Sequence, residues 1–419
     1  MTPSTPQGPL GVWLIGARGS ISTCVAYGLA GLRLDLLEPI GLCTAREPLA
    51  SLPLARPEDF VLGGHDVVGR ELEGSAAELV AEGILTEKLV AAAREDVGSY
   101  TSRIRAGVLD ERDRGMPAVD PGSSRLASAP PREQAQRIEA DLAAFRREAG
   151  VSRVVVVNLA STEAARAAQP EWADLSAFER ALDAGRPQPA STLYAYAAFR
   201  SGCAYVNFTP SLGSSIPALR GLARERGLPH CGSDGKTGET LVKTVLAPMF
   251  TARNLRVLAW QGYNMLGNRD GEVLADEAHR AAKLRNKDEA LRSLLGDPNL
   301  HTQVGIDFVP SLRDWKTAWD FVHFEGFLGA RMQLQFTWSG SDSALAAPLV
   351  IDLVRLTDLA LRSGEAGELA WTASFFKAPI AGGTHDFRAQ FEALLAWARA
   401  HPSRGKSPAA PLGSAGKRE

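Results

Sequence analysis

The sequence is poor in the residues that build disulfide frameworks and metal sites. Its 419 residues include only four cysteines and seven histidines. The cysteines form no CxxC pair, and no histidine stands near them at zinc-binding spacing. No cluster of His, Asp and Glu has metal-ligand spacing either, so we expect no metal centre. We expect buried thiols in a reducing, cytoplasmic compartment.

Charge of one sign and long apolar runs are also missing. Lys and Arg number 46 and Asp and Glu 48, so the formal net charge is -2. This balance gives no electrostatic footprint for nucleic acid or an anionic membrane. No run reaches the ~18 apolar residues of a membrane span, and the polar start of the chain does not resemble a signal peptide. Any anionic substrate must therefore be held by a local cluster of cations.

The apolar segments that are present follow the pattern of an α/β protein. Residues 11–16 read as a buried strand, residues 20–32 as a helix and residues 39–44 as a second strand, which together make a βαβ unit. Residues 154–160 have the β-branched character of a parallel strand that is covered on both faces. The pattern predicts a Rossmann-type, doubly wound parallel sheet.

The second half of the chain changes character. Residues 332–338 alternate between apolar and polar side chains, which predicts a strand with one wetter face. We expect an inserted α+β unit for catalysis and oligomerisation. The predicted division is a nucleotide-binding domain over residues 1–235, the inserted unit over 236–350, a return to the first domain over 351–401, and a disordered tail over 402–419.

A glycine turn lies between the first predicted strand and helix. Gly16, Gly19, Ser20 and Ile21 belong to this turn, where glycines let the backbone approach a pyrophosphate and N–H groups at the helix start bind it. The spacing is not a full GxGxxG, so a plain tight turn fits it as well. The acidic residue expected directly after the predicted second strand is missing. Arg46 stands there instead, which leaves NADP open.

Further polar runs follow other predicted strands. Residues 63–66 and residues 158–163 would lie at the carboxyl ends of strands, where ligands bind in open α/β sheets, although ordinary polar turns look the same. Residues 232–240 are rich in glycine and hydroxyl groups but lack the spacing of a P-loop. Lys283 and Lys287 are four residues apart and would share one helical face. From spacing alone, each lysine also fits a solvated surface position.

Taken in order, these motifs resemble the myo-inositol-1-phosphate synthase family over roughly residues 10–400. The similar segments are residues 16–23 (its glycine-rich NAD turn), 60–66 (GGWD), 158–163 (TANTE), 190–207 (STLYA and the VN strand end), 232–240 (GDDxKSGQT), 264–271 (NHLGNNDG), 307–316 (the run ending in GDSK), 341–348 (EDSLLATP) and 376–379 (LKAP). The resemblance implies NAD as cofactor, a sugar phosphate substrate and a homotetramer, whose contact we expect on an exposed apolar face around residues 332–338.

The resemblance also implies which residues form the site. The implied catalytic residues are Lys283, Lys287, Lys316, Lys377, Asp234, Asp270, Asp314, Asp342, Asn264 and Asn268. The implied cofactor-binding residues are Gly16, Gly19, Ser20, Ile21, Thr44, Asp66, Asn158, Ala160, Ser161, Thr162, Asp234 and Thr237. Lys243 lies outside the matched motifs and is expected to be a surface lysine.

The implied reaction converts D-glucose 6-phosphate into 1D-myo-inositol 3-phosphate without net redox change. Oxidation at carbon 5 acidifies the carbon-6 protons, the enolate attacks the carbon-1 aldehyde, and the ring ketone is reduced again. Each step puts negative charge on oxygen, which fixed ammonium groups stabilise. We expect Lys377 to exchange the proton of the carbon-5 oxygen and Lys283 to protonate the carbon-1 oxygen. Lys287 and Lys316 would hold the phosphate and the enolate oxygen, with Asp342 supporting them.

Several departures from the family pattern leave alternatives open. Arg18 and Ser22 replace two glycines, Ser161 replaces an asparagine, and residues 207–217 keep the family's NGSPQNTFVPG run only loosely. A related cyclase or dehydrogenase acting on another sugar phosphate is one alternative. An NAD-binding scaffold without activity is another, and retention of the four matched lysines argues against it.

Overall fold

The computed structural model describes residues 8–110, 118–267 and 291–401. The strands are β1 (Leu10–Ile15), β2 (Phe60–Asp66), β3 (Ile104–Ala106), β4 (Arg153–Asn158), β5 (Ala204–Asn207), β6 (Pro229–Gly232), β7 (Arg256–Leu266), β8 (His301–Phe308), β9 (Trp315–Glu325), β10 (Arg331–Ser341) and β11 (Gly367–Glu368). The α-helices are α1 (Ser20–Arg33), α2 (Leu72–Ala81), α3 (Glu87–Ala92), α4 (Arg94–Thr101), α5 (Pro121–Ala127), α6 (Pro131–Ala149), α7 (Leu175–Asp183), α8 (Ala190–Arg200), α9 (Pro217–Glu225), α10 (Glu239–Ala252), α11 (Asp342–Arg362) and α12 (Phe387–Ala400).

The larger sheet is parallel, with the strand order β11-β6-β5-β4-β1-β2-β3. Alternate side chains of β4 enter different cores. Val155 and Val157 pack with α1 and α11 on one face, whereas Val154 and Val156 pack with α6 and α8 on the other. A strand covered on both faces has to be apolar throughout, which explains its run of four valines. The predicted doubly wound α/β fold is confirmed.

The predicted second strand is wrong. Residues 39–44 form a turn that leads into a short 3-10 helix at Cys43–Ala45, and the strand that pairs with β1 is β2. Gly41 has a φ of +89°, which does not belong to an extended strand. The residue at the end of the true second strand is therefore Asp66, so the acidic residue that the sequence was expected to lack is present.

The smaller sheet has the strand order β10-β9-β7-β8. Strands β7 and β8 are parallel, and the other pairs are antiparallel. One face packs against α10, where the rings of Trp260 and Phe250 are in contact. Val322 belongs to the same core, and Leu334 and Phe336 of β10 lie at its edge. The predicted apolar face around residues 332–338 therefore largely covers the chain's own helix, because Leu334 and Phe336 point towards α10. This corrects the expectation that this face is the exposed one.

Helix α11 links the two sheets. It follows β10 directly and packs against α1 under the parallel sheet, through side chains such as Ala346, Val350 and Leu353. The division at residues 235, 350 and 401 stays a prediction, and α11 favours a return to the first domain at Asp342. Within the three described ranges, no helix is both long and apolar enough to cross a bilayer.

Candidate functional site

A cleft of about 290 Å³ lies at the carboxyl ends of β1, β2, β4 and β5, near the lower end of the ~300–1,000 Å³ typical of small-molecule sites. Most of the predicted site residues that the structure describes line it. These are Gly16, Gly19, Ser20, Ile21, Asp66, Asn158, Ala160, Ser161, Thr162, Asp234, Thr237, Asp314, Asp342 and Lys377. These residues are far apart in the sequence, and the parallel sheet brings them together because its strands all end at this edge.

The glycine turn has the shape of an anion site. Gly16 has a φ of +83°, and a side chain there would place its Cβ 3.0 Å from the Leu159 carbonyl oxygen. Gly19 is the N-cap of α1 and provides no capping side chain. The first-turn N–H groups of α1 therefore stand at the cleft without a side chain of the cap in front of them. This arrangement fits the pyrophosphate of a dinucleotide.

Asp66 stands beside this turn at the end of β2. Its carboxylate accepts hydrogen bonds from the backbone N–H groups of Arg18 (2.7 Å) and Val68 (2.8 Å). Burial raises the pKa of Asp66, while these two donors and the Arg18 guanidinium counteract the rise. An acidic residue at the end of the second strand is the group that binds ribose hydroxyls in dinucleotide folds.

Asn158 shapes the next part of the cleft. Its amide nitrogen donates to Asn207 Oδ1 and to Thr209 Oγ1, both at 3.2 Å, and its amide oxygen accepts the N–H of Ala160. These bonds join the ends of β4 and β5 and fix the loop that carries Ser161 and Thr162. The side chain of Asn158 thus holds the cleft wall in place.

Lys377 and Asp234 form a buried ion pair at the inner end of the cleft. Lys377 Nζ lies 2.7 Å from Asp234 Oδ1, and the backbone N–H of Lys377 also donates to the carbonyl of Asp234. Asp234 has a φ of +63°, an uncommon conformation for a residue other than glycine. This turn after β6 brings residue 234 against residue 377.

A second chain of polar contacts joins the smaller sheet to the cleft. Lys316 Nζ on β9 lies 3.7 Å from Asp342 Oδ2, and the hydroxyl of Thr237 donates to Asp342 Oδ1 at 3.0 Å. Asp314 accepts hydrogen bonds from the hydroxyls of Ser341 and Ser343 and so fixes the first turn of α11. Lys316 itself is buried just behind the lining residues.

Two predicted residues lie elsewhere, and four are outside the described residues. The hydroxyl of Thr44 donates to Asp352 and accepts from Arg355, which holds it under α11 and away from the cleft, so its predicted cofactor contact is corrected. Asn264 is buried on β7, where its amide nitrogen lies 3.5 Å from the Gly305 carbonyl oxygen. The residues outside the described ranges are Asn268, Asp270, Lys283 and Lys287.

The prediction that Lys243 is a surface lysine is wrong. Its side chain is buried between the carboxylates of Glu239 and Asp320, with Nζ 3.1 Å from Asp320 Oδ1. Its spacing from Glu239 predicts a helical neighbour. The approach of Asp320, 77 residues further along the chain, has no local signal in the sequence.

Lys236 is a further group that the sequence did not single out. Its ammonium donates to the side-chain oxygen of Gln390 on α12 at 2.6 Å and lies 5.6 Å from the centre of the Phe387 ring. Burial, with a smaller effect from the charge of Lys377, lowers the pKa of Lys236 to about 7. A lysine that titrates near neutrality thus stands behind the Lys377–Asp234 pair.

Glu163 at the cleft wall also has a shifted pKa. Its carboxylate accepts hydrogen bonds from the backbone N–H and the hydroxyl of Ser191. Burial raises the pKa of Glu163 to about 7 in spite of these donors.

Over the described part of the chain, no group of three or more His, Cys, Asp or Glu side chains is arranged to hold a metal ion.

Comparisons with known proteins give one consistent result. A family model described as myo-inositol-1-phosphate synthase matches residues 10–399. Inositol-3-phosphate synthase 1 of Bacteroides thetaiotaomicron is 34% identical over 417 residues, which cover 92% of this chain and 92% of that protein. Human inositol-3-phosphate synthase 1 is 30% identical over 326 residues, covering 75% of this chain and 56% of the human protein.

Solved structures agree in fold. The inositol-3-phosphate synthase of Caenorhabditis elegans matches with a TM-score of 0.83 at 21% identity, over 95% of this chain and 87% of that one. A myo-inositol-1-phosphate synthase-related protein from Thermotoga maritima matches with a TM-score of 0.73 at 25% identity, over 94% of this chain and 100% of that one.

Proposed function

Because the chain belongs to the myo-inositol-1-phosphate synthase family, we propose that it converts D-glucose 6-phosphate into 1D-myo-inositol 3-phosphate. The predicted family, the NAD cofactor and the assignment to an isomerase-type enzyme are confirmed. The observation that carries the substrate proposal is one cleft in which the dinucleotide turn at Gly16 stands near two lysine–carboxylate pairs, Lys377–Asp234 and Lys316–Asp342.

The residues at the outer part of the cleft fit NAD. The N-terminus of α1 would hold the pyrophosphate, and Asp66 would hold a ribose of the cofactor. When bound there, NAD+ would supply the hydride acceptor for oxidation of the substrate and, as NADH, the donor for its re-reduction. Because Thr237 and Asp234 line the same cleft as the glycine turn, the substrate would lie between the turn and the buried lysines.

Lys377 is the residue that we assign to the proton of the carbon-5 oxygen. Asp234 orients its ammonium through the 2.7 Å contact, so the group is fixed before substrate arrives. The second ammonium, that of Lys236, stands behind it and contacts the side-chain oxygen of Gln390 and the ring of Phe387. Fixed positive charge in a water-poor cleft stabilises oxyanions without reorganisation, by about 3–4 kcal/mol for one donor.

The phosphate and the enolate oxygen would lie towards the smaller sheet. Lys316 is held there by Asp342, which Thr237 also contacts at the start of α10. The first turn of a helix favours negative charge. The roles of Lys283, Lys287, Asn268 and Asp270 remain proposals based on the motif alone.

A different sugar phosphate is the second candidate substrate. Thr209, Pro210 and Ser211 line the cleft, and they belong to the run, residues 207–217, in which this chain departs from the family pattern. A changed wall would change which hydroxyl groups of a sugar are recognised. An inactive scaffold is disfavoured, because Lys316 and Lys377 both keep a carboxylate partner.

We further propose a homotetramer in the cytoplasm. The face of the smaller sheet that does not contact α10 exposes Tyr263, Trp315 and Trp319 at 40–43%, with Trp319 and Phe321 stacked along β9. An apolar sheet face of this kind is suited to pairing with a second copy across a two-fold axis. The four cysteines are unpaired, which suits a reducing compartment.

The reaction is tested with purified protein, NAD+ and glucose 6-phosphate. The wild type should form inositol phosphate while free NADH stays at background, because the cycle is redox-neutral. Lys377→Ala should lower the rate at least ~100-fold and leave no bound NADH, because oxidation at carbon 5 is blocked.

The matched control is Lys88→Ala, which removes an exposed lysine on α3 and should keep the wild-type rate. A wild-type rate for Lys377→Ala would disprove the assigned role. Formation of a carbocycle from another sugar phosphate, but not from glucose 6-phosphate, would replace the first substrate with the second.

A further inference from the structure

Arg18 is a cation inside the glycine turn, at a position where the family pattern has glycine. Its backbone N–H is fixed to Asp66 at 2.7 Å, and its guanidinium reaches along the end of β2 to the carbonyl of Val68 at 3.3 Å. The side chain lines the cleft together with Asp66, Val67, Val68 and Arg70. The guanidinium is therefore on the β2 side of the turn and points away from the N-terminus of α1.

The guanidinium of Arg18 does not use all of its hydrogen-bond donors within the protein. Its buried Nε has no hydrogen-bond partner among the described residues. Its charge also acts on the neighbouring carboxylate, since Arg18 counteracts the rise in the pKa of Asp66. The two groups thus form a mixed acidic and basic pair at the end of the second strand.

This place has a defined meaning in dinucleotide folds. An acidic residue at the end of the second strand binds the 2′-hydroxyl of NAD, whereas an arginine nearby accommodates the 2′-phosphate of NADP. Asp66 alone would repel a 2′-phosphate. A guanidinium beside it offsets the carboxylate charge and offers forked donors that match phosphate oxygens.

We propose that Arg18 makes this cleft accept NADP+ as well as NAD+, by contacting the 2′-phosphate beside Asp66. Arg46, the residue that the sequence indicated for this role, is exposed and does not line the cleft. The inference requires a dinucleotide in this cleft, but it does not depend on the sugar phosphate or on the ring closure proposed above.

The test measures binding and needs no turnover. Protein freed of cofactor is titrated with NAD+, NADP+ and 2′,5′-ADP, a probe that carries the 2′-phosphate without the nicotinamide half. Arg18→Gly should raise the dissociation constants of NADP+ and 2′,5′-ADP by about tenfold or more. This is the loss of affinity expected for one charge-assisted hydrogen bond. The dissociation constant for NAD+ should change by less than about threefold in this variant, since no 2′-phosphate is involved.

Arg46→Gly is the matched control and should leave all three dissociation constants unchanged. Arg18→Lys keeps the charge but loses the fork, so its NADP+ affinity should fall between those of the wild type and Arg18→Gly. Equal weakening of NAD+ and NADP+ in Arg18→Gly would overturn the proposal, because Arg18 would then serve the shared part of the cofactor. An affinity for NADP+ that is the same in the wild type and in Arg18→Gly would also overturn the proposal. Failure of the wild type to bind NAD+ would instead contradict the cofactor assignment.

Discussion

The burial of Lys243 leads to a strong prediction about stability. Lys243, Glu239 and Asp320 are each at most 1% exposed, and Trp260 Nε1 donates to Asp320 Oδ1 at 2.7 Å. The space is tight, since a Cβ at position 262 would lie 2.5 Å from Lys243 Nζ and 2.7 Å from Glu239 Oε1. Lys243→Met keeps most of the volume and removes the one cation of this three-residue cluster.

The expected loss of stability is large, because the two buried carboxylates of Glu239 and Asp320 would remain without the ammonium of Lys243. Breaking a buried ion pair by removing one partner costs about 3–5 kcal/mol. If the 419 residues unfold as one unit, the midpoint of thermal unfolding should fall by about 3–6 °C. An exposed lysine contributes about 0–1 kcal/mol, so Lys88→Met on the surface of α3 is the control and should leave the midpoint almost unchanged.

The loss should also depend on pH. Burial raises the pKa of Asp320 to about 6, while Lys243 counteracts the rise. An acid with a raised pKa in the folded state adds stability that is present below its unfolded pKa, and this stability is lost as the pH rises through the folded value. Without Lys243 the pKa of Asp320 rises further. The destabilisation should therefore be smaller at pH 5, where a carboxyl is protonated, than at pH 8.

Thermal unfolding of both variants and the wild type, followed by circular dichroism at pH 5 and pH 8, measures this effect. If Lys243→Met unfolds at the wild-type temperature at both values, the buried ion cluster contributes nothing and the reasoning fails. An equal loss at both values would show that no carboxyl takes up a proton when the lysine is removed.

Two further predictions concern other parts of the chain. Because burial raises the pKa of Glu163 to about 7, its stabilising contribution is present below the unfolded value and is lost as the pH rises through 7. Glu163→Gln should flatten the pH dependence of the unfolding midpoint between pH 5 and pH 8, and an unchanged profile would contradict this. Trp319→Asp places a charge on the open sheet face and should convert the proposed tetramer into smaller species by light scattering. A tetramer of unchanged mass would show that this face is not the contact.

The sequence predicts the parts of the fold that local patterns determine. The run of four valines in β4 can be satisfied only between two layers of helices, and the predicted helix over residues 20–32 matches α1 because the apolar period is regular. The second strand was missed because residues 39–44 are apolar like a strand, whereas Pro39 and the positive φ of Gly41 break it. An apolar run alone does not separate a strand from a turn that packs on a neighbouring helix.

The candidate site shows the same limit at longer range. The motifs that carry Asp234, Asp342 and Lys377 were readable because each is a local run with a recognisable composition. Which groups meet could not be predicted, because contacts such as Lys243–Asp320 depend on how α10 packs against the smaller sheet. The apolar face of β10 illustrates this too, since alternation reveals that one face is apolar but not whether the protein's own helix or a second copy covers it.

The polar chain Lys316–Asp342–Thr237 explains why the site spans two sheets. Thr237 follows β6 of the parallel sheet, Lys316 belongs to β9 of the smaller sheet, and Asp342 opens the helix that joins them. A reaction that moves charge from carbon 5 to carbon 1 needs cations on both sides of the sugar, and a single sheet edge provides only one side. Lys377 lies against Asp234 in the turn after β6, and Lys316 lies on β9 of the smaller sheet, so in the proposed site their ammonium groups would serve both sides. The carboxylate of Asp342 contacts Lys316 of the smaller sheet and Thr237 of the turn after β6, and so connects the two sides of the cleft.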